Sequence, residues 1–342
     1  MAAPETKKNT APLVSVIMPA YNAGKTLEAS AESVLAQTLA ELELIIIDDG
    51  STDDTAAVCA ALAERDARVR TVTVKNSGPA AARNLGLDMA SGKYVTLVDS
   101  DDLILPGMLE TMLKGAEEHC ADVCVCGASI EYPNGGGSDK RICFGESGLY
   151  SGERLKRLFD LPQMTIFFSG WGKLYKRSII EENGIRMDTA YRITEDTDFA
   201  MRCLENCASV YLADERFYRY MQVNPSSLTQ VRNAEGLKSG AVNIASRLKS
   251  LMLKWGVPEA EAKQRSDDYL FSQLNAAAFI KLRSGSERAD KKAFYKEVMA
   301  VEGFKNYLKH GRFSSRMLAA GFLPAAAYTG LHGAYLKIKG NV

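Results

Sequence analysis

The sequence predicts an α/β protein: a mainly parallel sheet with helices on both faces, followed by an all-helical C-terminal region. Three observations lead there. Between residues 14 and 98, apolar β-branched runs alternate with helical patterns, giving four strands and three helices in roughly 85 residues, the signature of a parallel sheet covered on both sides. After residue 231 no strand pattern recurs. The charge divides at the same place: from Val231 onward 19 Lys and Arg stand against 9 Asp and Glu, although the whole chain balances at 42 and 42.

A chain of 342 residues exceeds the usual size of one domain, so a large domain with a smaller attachment is expected. We divide it into a disordered N-terminal tail (1–11), an α/β domain (12–230) and a basic helical region (231–342). With 46% hydrophobic and 25% charged residues, the composition excludes disordered and collagen-like classes. Seven cysteines form an odd set without the spacing of a disulfide framework, which favours a reducing compartment. Cys124 and Cys126 alternate in an apolar run and read as core thiols; the spacings of a zinc site are absent. The polar first residues lack the apolar centre of a signal peptide, so a cytoplasmic location is expected.

The first strand, 14–18, opens into Pro19-Ala20-Tyr21-Asn22. A helix over 26–37 follows, with Leu27, Val34 and Leu35 on one face. The second strand, 44–47, stops at Asp48-Asp49-Gly50-Ser51, after which Ser51 or Thr52 can cap a helix whose first turn carries Asp53 and Asp54. A third strand occupies 69–74. Pro79 then suits the first position of a helix over 80–89, with Arg83 and Asn84 near its start. The fourth strand ends in VTLVDSDD (95–102), so Asp99, Asp101 and Asp102 are expected to meet solvent together. Ligands of such sheets bind beyond the carboxyl ends of the strands, so the polar clusters at 19–22, 48–51, 76–78 and 99–102 should line one crevice.

Farther on we read a helix over 106–119, a strand over 122–130, a loop or hairpin tip at 132–137 and a short helix over 151–160. The segment 167–173 reads as a loop. An acidic knot at 194–199 starts a helix to about 205, two closing strands cover 210–212 and 217–221, and a polar loop spans 224–229.

Three carboxylates within four residues repel one another unless a hard cation sits among them. The phosphate loops G-x-x-x-x-G-K-[ST] and G-x-G-x-x-G are missing, so a cation at that cluster is the remaining device for neutralising a diphosphate. In Glu195-Asp196, a carboxylate at a helix start is held rigidly enough to act as a general base; the alternative is that the pair merely complements the helix dipole.

VSVIMPAYN (14–22), LIIIDDGST (44–52), SGPAAARN (77–84), the segment 94–102 and TEDTDF (194–199), in that order, resemble the family 2 inverting glycosyltransferases of the GT-A, Rossmann-like fold. The resemblance covers roughly 12–229. It implies that Pro19, Tyr21 and Asp49 hold the nucleotide base, usually uracil, with Tyr21 stacking and Asp49 accepting a hydrogen bond, and that Arg83 approaches the base or phosphates. Asp99, Ser100 and Asp101 match the family's D-x-D, with Asp101 nearest a Mn²⁺ or Mg²⁺ and Asp99 nearer the ribose, while Asp196 matches the catalytic base. The implied partners are a UDP-sugar donor and a glycan or lipid-linked acceptor, in bacterial surface polysaccharide synthesis.

Trp171 suits either stacking on an acceptor ring or filling core, and Lys173 either touching phosphate or a structural role; Glu195 is a further acceptor-side candidate. Ser227 or Thr229 could contact phosphate, or their loop is a solvated linker. Two rival classes stay open: a nucleotide-binding protein without turnover, and a phosphate-receiving signalling domain, which wants a Lys that the end of 122–130 does not supply.

After Glu302 the chain has no acidic residue, and residues 317–336 carry no formal charge. Ala, Gly and Pro324 make that stretch a poor membrane span. Basic-flanked interfacial helices over 303–342, peripheral on an anionic inner membrane leaflet, or a subdomain packed on the catalytic part, both fit. Nucleic acid is not expected, since no aromatic platform accompanies the charge.

Overall fold

The computed structural model describes residues 11–133, 139–161, 167–191, 193–222, 234–284 and 286–304. The expected tail, most of the 132–137 hairpin tip, the 224–229 loop and the basic stretch beyond 304, including 317–336, lie outside them or nearly so. The chain forms two compact units, Met1–Pro225 with Lys254–Gly256, and Ser226–Leu253 with Val257–Val342.

The first unit begins as expected: β1 (Val14–Ala20), α1 (Leu27–Leu35), β2 (Leu42–Asp48), α2 (Thr55–Arg65), β3 (Val69–Thr73), α3 (Pro79–Met89) and β4 (Tyr94–Leu97). β2 is buried at every position, which is why its sequence is continuous rather than alternating. Ile45, Ile46 and Ile47 are wholly enclosed, each contributing about 1.5–3 kcal/mol through removal from water. β1 pairs in parallel with β2 and β4, and β2 with β3.

Then follow β5 (Leu103–Ile104), α4 (Met108–Glu118), β6 (Val123–Glu131), β7 (Lys140–Ile142), β8 (Gly148–Ser151), a 3₁₀ helix (Gly152–Asp160), β9 (Lys173–Lys176), α5 (Arg177–Glu182), α6 (Glu195–Glu205) and β10 (Ser209–Met221). The strand order is β3-β2-β1-β4-β9-β6-β10-β5, with β7 on β6 and β8 on β10. The long pairings are parallel, β6 with β10 included; the antiparallel ones are short, and β9 joins β4 to β6 by two such ladders. Cys124 and Cys126 are buried in β6, as the core reading expects.

Several local readings need correction. α2 starts at Thr55, not after Ser51, and neither Ser51 nor Thr52 caps it; Asp53 instead takes the backbone N–H and hydroxyl of Thr55. Val210–Leu212 and Phe217–Met221 belong to one strand, β10, which absorbs the polar residues between them by register shifts after Ala213 and Arg216. The segment read as loop through Lys173 runs into β9. The strands β5, β7 and β8 and the helix α5 were not read, being too short to show a period.

The second unit is helical in its described part: α7 (Ala234–Lys254), α8 (Glu259–Arg283) and α9 (Arg288–Ala300). Its core gathers Phe271, Leu274, Ala277, Phe294, Val298 and Phe304. Among the described residues no helix is long and apolar enough to cross a membrane.

Candidate active site

Loops at the carboxyl ends of β1, β2, β3 and β4 meet. Asn22, in the left-handed region that Asn tolerates, accepts the Thr52 N–H at 2.8 Å and donates its own N–H to Ser51 Oγ at 2.9 Å. Asp49 is 3% exposed; its two oxygens accept the N–H groups of Ser77 and Gly78, each at 2.8 Å. It thus ties the loop after β3 to the end of β2. Pro19 closes β1 and is partly covered, whereas the neighbouring Tyr21 is 52% exposed, a flat ring free to stack at the mouth.

Arg83, on the first turns of α3, is buried and forked. One nitrogen meets Asp99 Oδ1 at 2.7 Å and the other Glu195 Oε1 at 3.0 Å. Burial works against its charge, but the carboxylates of Asp99, Glu195 and Asp196 outweigh that and raise its pKa. Glu195 is itself pushed up, by burial first and then by Asp196, against the pull of Arg83. The expected acceptor-side role of Glu195 is therefore corrected: at 7% exposure, it backs Arg83 instead of facing an incoming ligand.

The acidic end of β4 does not present three carboxylates to solvent. Asp102 is fully buried: Tyr218 donates its hydroxyl to Oδ2 at 2.7 Å and the Met221 N–H reaches Oδ1 at 2.8 Å. Burial, then Asp99 and Asp101, raises its pKa well above the carboxylate range. Ser100 is buried too, its carbonyl accepting Ser30 Oγ. Asp99 and Asp101 remain partly exposed. Burial, and then the charge of Asp99, pushes Asp101 up to about 6. A divalent cation between Asp99 and Asp101 would offset both the burial of Asp101 and its repulsion from Asp99, and two carboxylates plus ligand phosphates and water suffice for Mg²⁺-type coordination. Among the described residues no cluster of three or more acidic, His or Cys side chains forms a ready metal cage.

Asp196 lies in the first turn of α6, partly exposed. Its Oδ2 accepts the Gly170 N–H at 3.0 Å and Oδ1 the Thr197 N–H at 2.8 Å. A Cβ on Gly170 would come within 2.9 Å of the Asp196 Cβ, so the approach requires glycine. Thr194, just before the helix, holds φ +73°, an uncommon state for a β-branched residue, and its buried hydroxyl has no partner among the described residues.

Trp171 is partly exposed and stacks on Tyr218 (4.7 Å between centroids) and Tyr220 (5.5 Å), both from β10. Lys173 does not reach for phosphate. It is 0% exposed and donates to Ser169 O at 2.6 Å, with Ser169 Oγ at 3.3 Å and Trp171 O at 3.4 Å. Burial lowers its pKa to about 7, against the nearby carboxylate of Asp196. Sequence reasoning missed Tyr218 altogether; its signal was only an aromatic in an alternating strand.

Comparison with known proteins adds to this geometry. The model of the family described as glycosyl transferase family 2 matches residues 15–184. The uncharacterized glycosyltransferase EpsJ of Bacillus subtilis is 32% identical over 232 residues, 64% of this chain and 64% of its own length. The glycosyltransferase GlyA of Streptococcus pneumoniae is 30% identical over 251 residues, 72% of this chain but 35% of the relative. The chain thus spans just under two thirds of the first and about a third of the second. In structure it is similar to residues 1–349 of S. aureus TarS crystallised with UDP, with a TM-score of 0.62, 22% identity, and 90% of this chain and 82% of that one covered. At that identity the likeness establishes the shared fold, the GT-A arrangement expected from the motifs.

Proposed function

From the premise that this chain belongs to glycosyl transferase family 2, with residues 15–184 matching its model, we propose that it is an inverting, metal-dependent glycosyltransferase. It moves a hexose or N-acetylhexosamine from a UDP-sugar to a hydroxyl of a glycan or lipid-linked acceptor, in bacterial surface polysaccharide synthesis. One observation carries this: Arg83 gathers Asp99, from the acidic end of β4, and Glu195, the neighbour of Asp196, into a single cleft. The support for a uridine nucleotide is that S. aureus TarS binds UDP and UDP-GlcNAc, and for a metal that a Pyrobaculum calidifontis mannosyltransferase of similar fold binds GDP-Man with Mn²⁺.

In this reading Tyr21 stacks on the base beside Pro19, and Asp49, whose oxygens also take the Ser77 and Gly78 N–H groups, accepts a hydrogen bond from the base. Asp99 and Asp101 hold the Mn²⁺ or Mg²⁺, which when bound offsets the charge that develops on the departing diphosphate. Asp196 takes the proton of the attacking hydroxyl from the face opposite the leaving group. Gly170 and Thr197 fix both of its oxygens, so little reorganisation precedes that transfer. Trp171, supported by two tyrosines, offers the acceptor sugar a rigid apolar face. We also propose that 303–342 binds an anionic leaflet peripherally, from the cytoplasmic side.

Incubating the full chain with a panel of UDP- and GDP-sugars and Mn²⁺, and scoring release of nucleotide, tests the reading. UDP release from one sugar class is expected. No release from any donor, with or without added polysaccharide acceptor, sinks it.

A further inference from the structure

Four consecutive carbonyls before β9 are all engaged, three by side chains of β9 and one by the backbone of β6. Ser169 O and Trp171 O accept from the Lys173 ammonium, Gly170 O lies 3.5 Å from the Tyr175 hydroxyl, and Gly172 O accepts the Cys126 N–H at 3.0 Å. Lys173 and Tyr175 are two residues apart on a strand and therefore share a face. Both are buried, and an ammonium brings three donors, matching the two carbonyls and the Ser169 hydroxyl around it. In the trans Ser169–Gly170 peptide, holding Ser169 O on Lys173 sends the Gly170 N–H the opposite way, and that N–H meets Asp196 Oδ2 at 3.0 Å.

We propose that Lys173, with Tyr175, is a positioning residue that sets the proton-accepting oxygen of Asp196 by fixing the 169–172 turn. This rests on the function argued above for Asp196. The lysine holds the carbonyls of the turn, and the turn presents the Gly170 N–H to Asp196. The same turn carries Trp171, whose stacking on Tyr218 and Tyr220 is held by the same donor, so acceptor platform and base share one mooring. A lysine enclosed at the centre of a sheet is costly to keep, and a purely structural strand would be served by an apolar side chain of like length.

Lys173→Met in the full chain tests this by two readouts. Hydrogen exchange over residues 169–172 should quicken about tenfold while β1 and β2 exchange as in the wild type. In transfer assays kcat should fall about 100-fold with the donor KM within about twofold, the pattern of a displaced catalytic group rather than a damaged nucleotide site. Unchanged exchange at 169–172 overturns the proposal, and so does an activity loss that comes as a raised donor KM with kcat preserved. Should Lys173→Met fail to fold, Gly170→Ala leaves the clamp in place but pushes on Asp196; the same loss in kcat is expected, and wild-type kcat overturns the idea. If the wild type transfers no sugar at all, the functional reading fails, while the exchange experiment still decides whether Lys173 fixes the turn.

Discussion

The guanidinium of Arg83 meets the carboxylate of Glu195 at 3.0 Å with both side chains nearly enclosed, and its second nitrogen holds Asp99. A charge pair so placed is tolerated because each partner answers the other. Removing one is expected to be far costlier than exchanging both. Arg83→Met should therefore lower the unfolding free energy by about 3–5 kcal/mol, read from urea midpoints, whereas Arg83→Met with Glu195→Leu should recover part of it. A single variant as stable as the wild type would show that the pair is not held in solution.

Asp196→Asn keeps the size of the side chain and an oxygen for the Gly170 N–H, but cannot accept a proton at neutral pH. Transfer should drop about 10²–10⁴-fold while UDP binding, measured by calorimetry, stays within about twofold. Unimpaired transfer would remove Asp196 as the base.

Chelation should weaken UDP binding, since phosphates facing Asp99 and Asp101 without a cation meet like charge. We expect the affinity to fall at least about tenfold in EDTA and to return with Mn²⁺, and Asp101→Asn to blunt that metal dependence. Equal UDP affinity with and without metal would rule against the pair as its site.

The Arg219 side chain donates to Glu131, at 2.8 Å for Nε to Oε1, and holds that carboxylate down to about 2. An acid whose folded value lies below its ordinary 4.5 releases its proton more readily when folded, so it stabilises above 4.5 and that contribution fades as pH falls toward 2. The stability gap between wild type and Glu131→Gln should thus be widest at pH 6 and shrink by pH 3, measured by urea unfolding. A gap that does not change with pH would refute the linkage.

Tyr218→Phe leaves Asp102 Oδ2 buried without its donor. A loss of about 1–3 kcal/mol is expected, with near-UV circular dichroism reporting any change at the Trp171 stack. No loss would mean that the buried carboxyl finds another donor.

The donor half of the sheet was legible because β1, β2 and β4 are mostly apolar, buried runs that end in polar clusters, a pattern with one common physical meaning. What escaped reading was decided by side chains far apart in sequence. Asp102 looked like its neighbours Asp99 and Asp101 until Tyr218 and Met221, over a hundred residues away, enclosed it. β9 carries a lysine at each end, and a charged residue argues for solvent unless something local absorbs it; here the carbonyls of the preceding turn do. Glu195 likewise reads as a helix-start acid, and only the buried Arg83 shows why it turns inward.

The narrow join at β9 bears on how the molecule assembles. β1, β2 and β3 pair with neighbours close along the chain, whereas β4 must reach back from Tyr94 to Val14 and then wait for Tyr175 and Lys176, and β6 is reached through three more residue pairs. Loop-closure entropy makes such distant ladders slow to form. We expect the β1, β2 and β3 ladders to form first and the two-pair join of β4 to β9 late, so that join would be among the first parts of the sheet to open under denaturant.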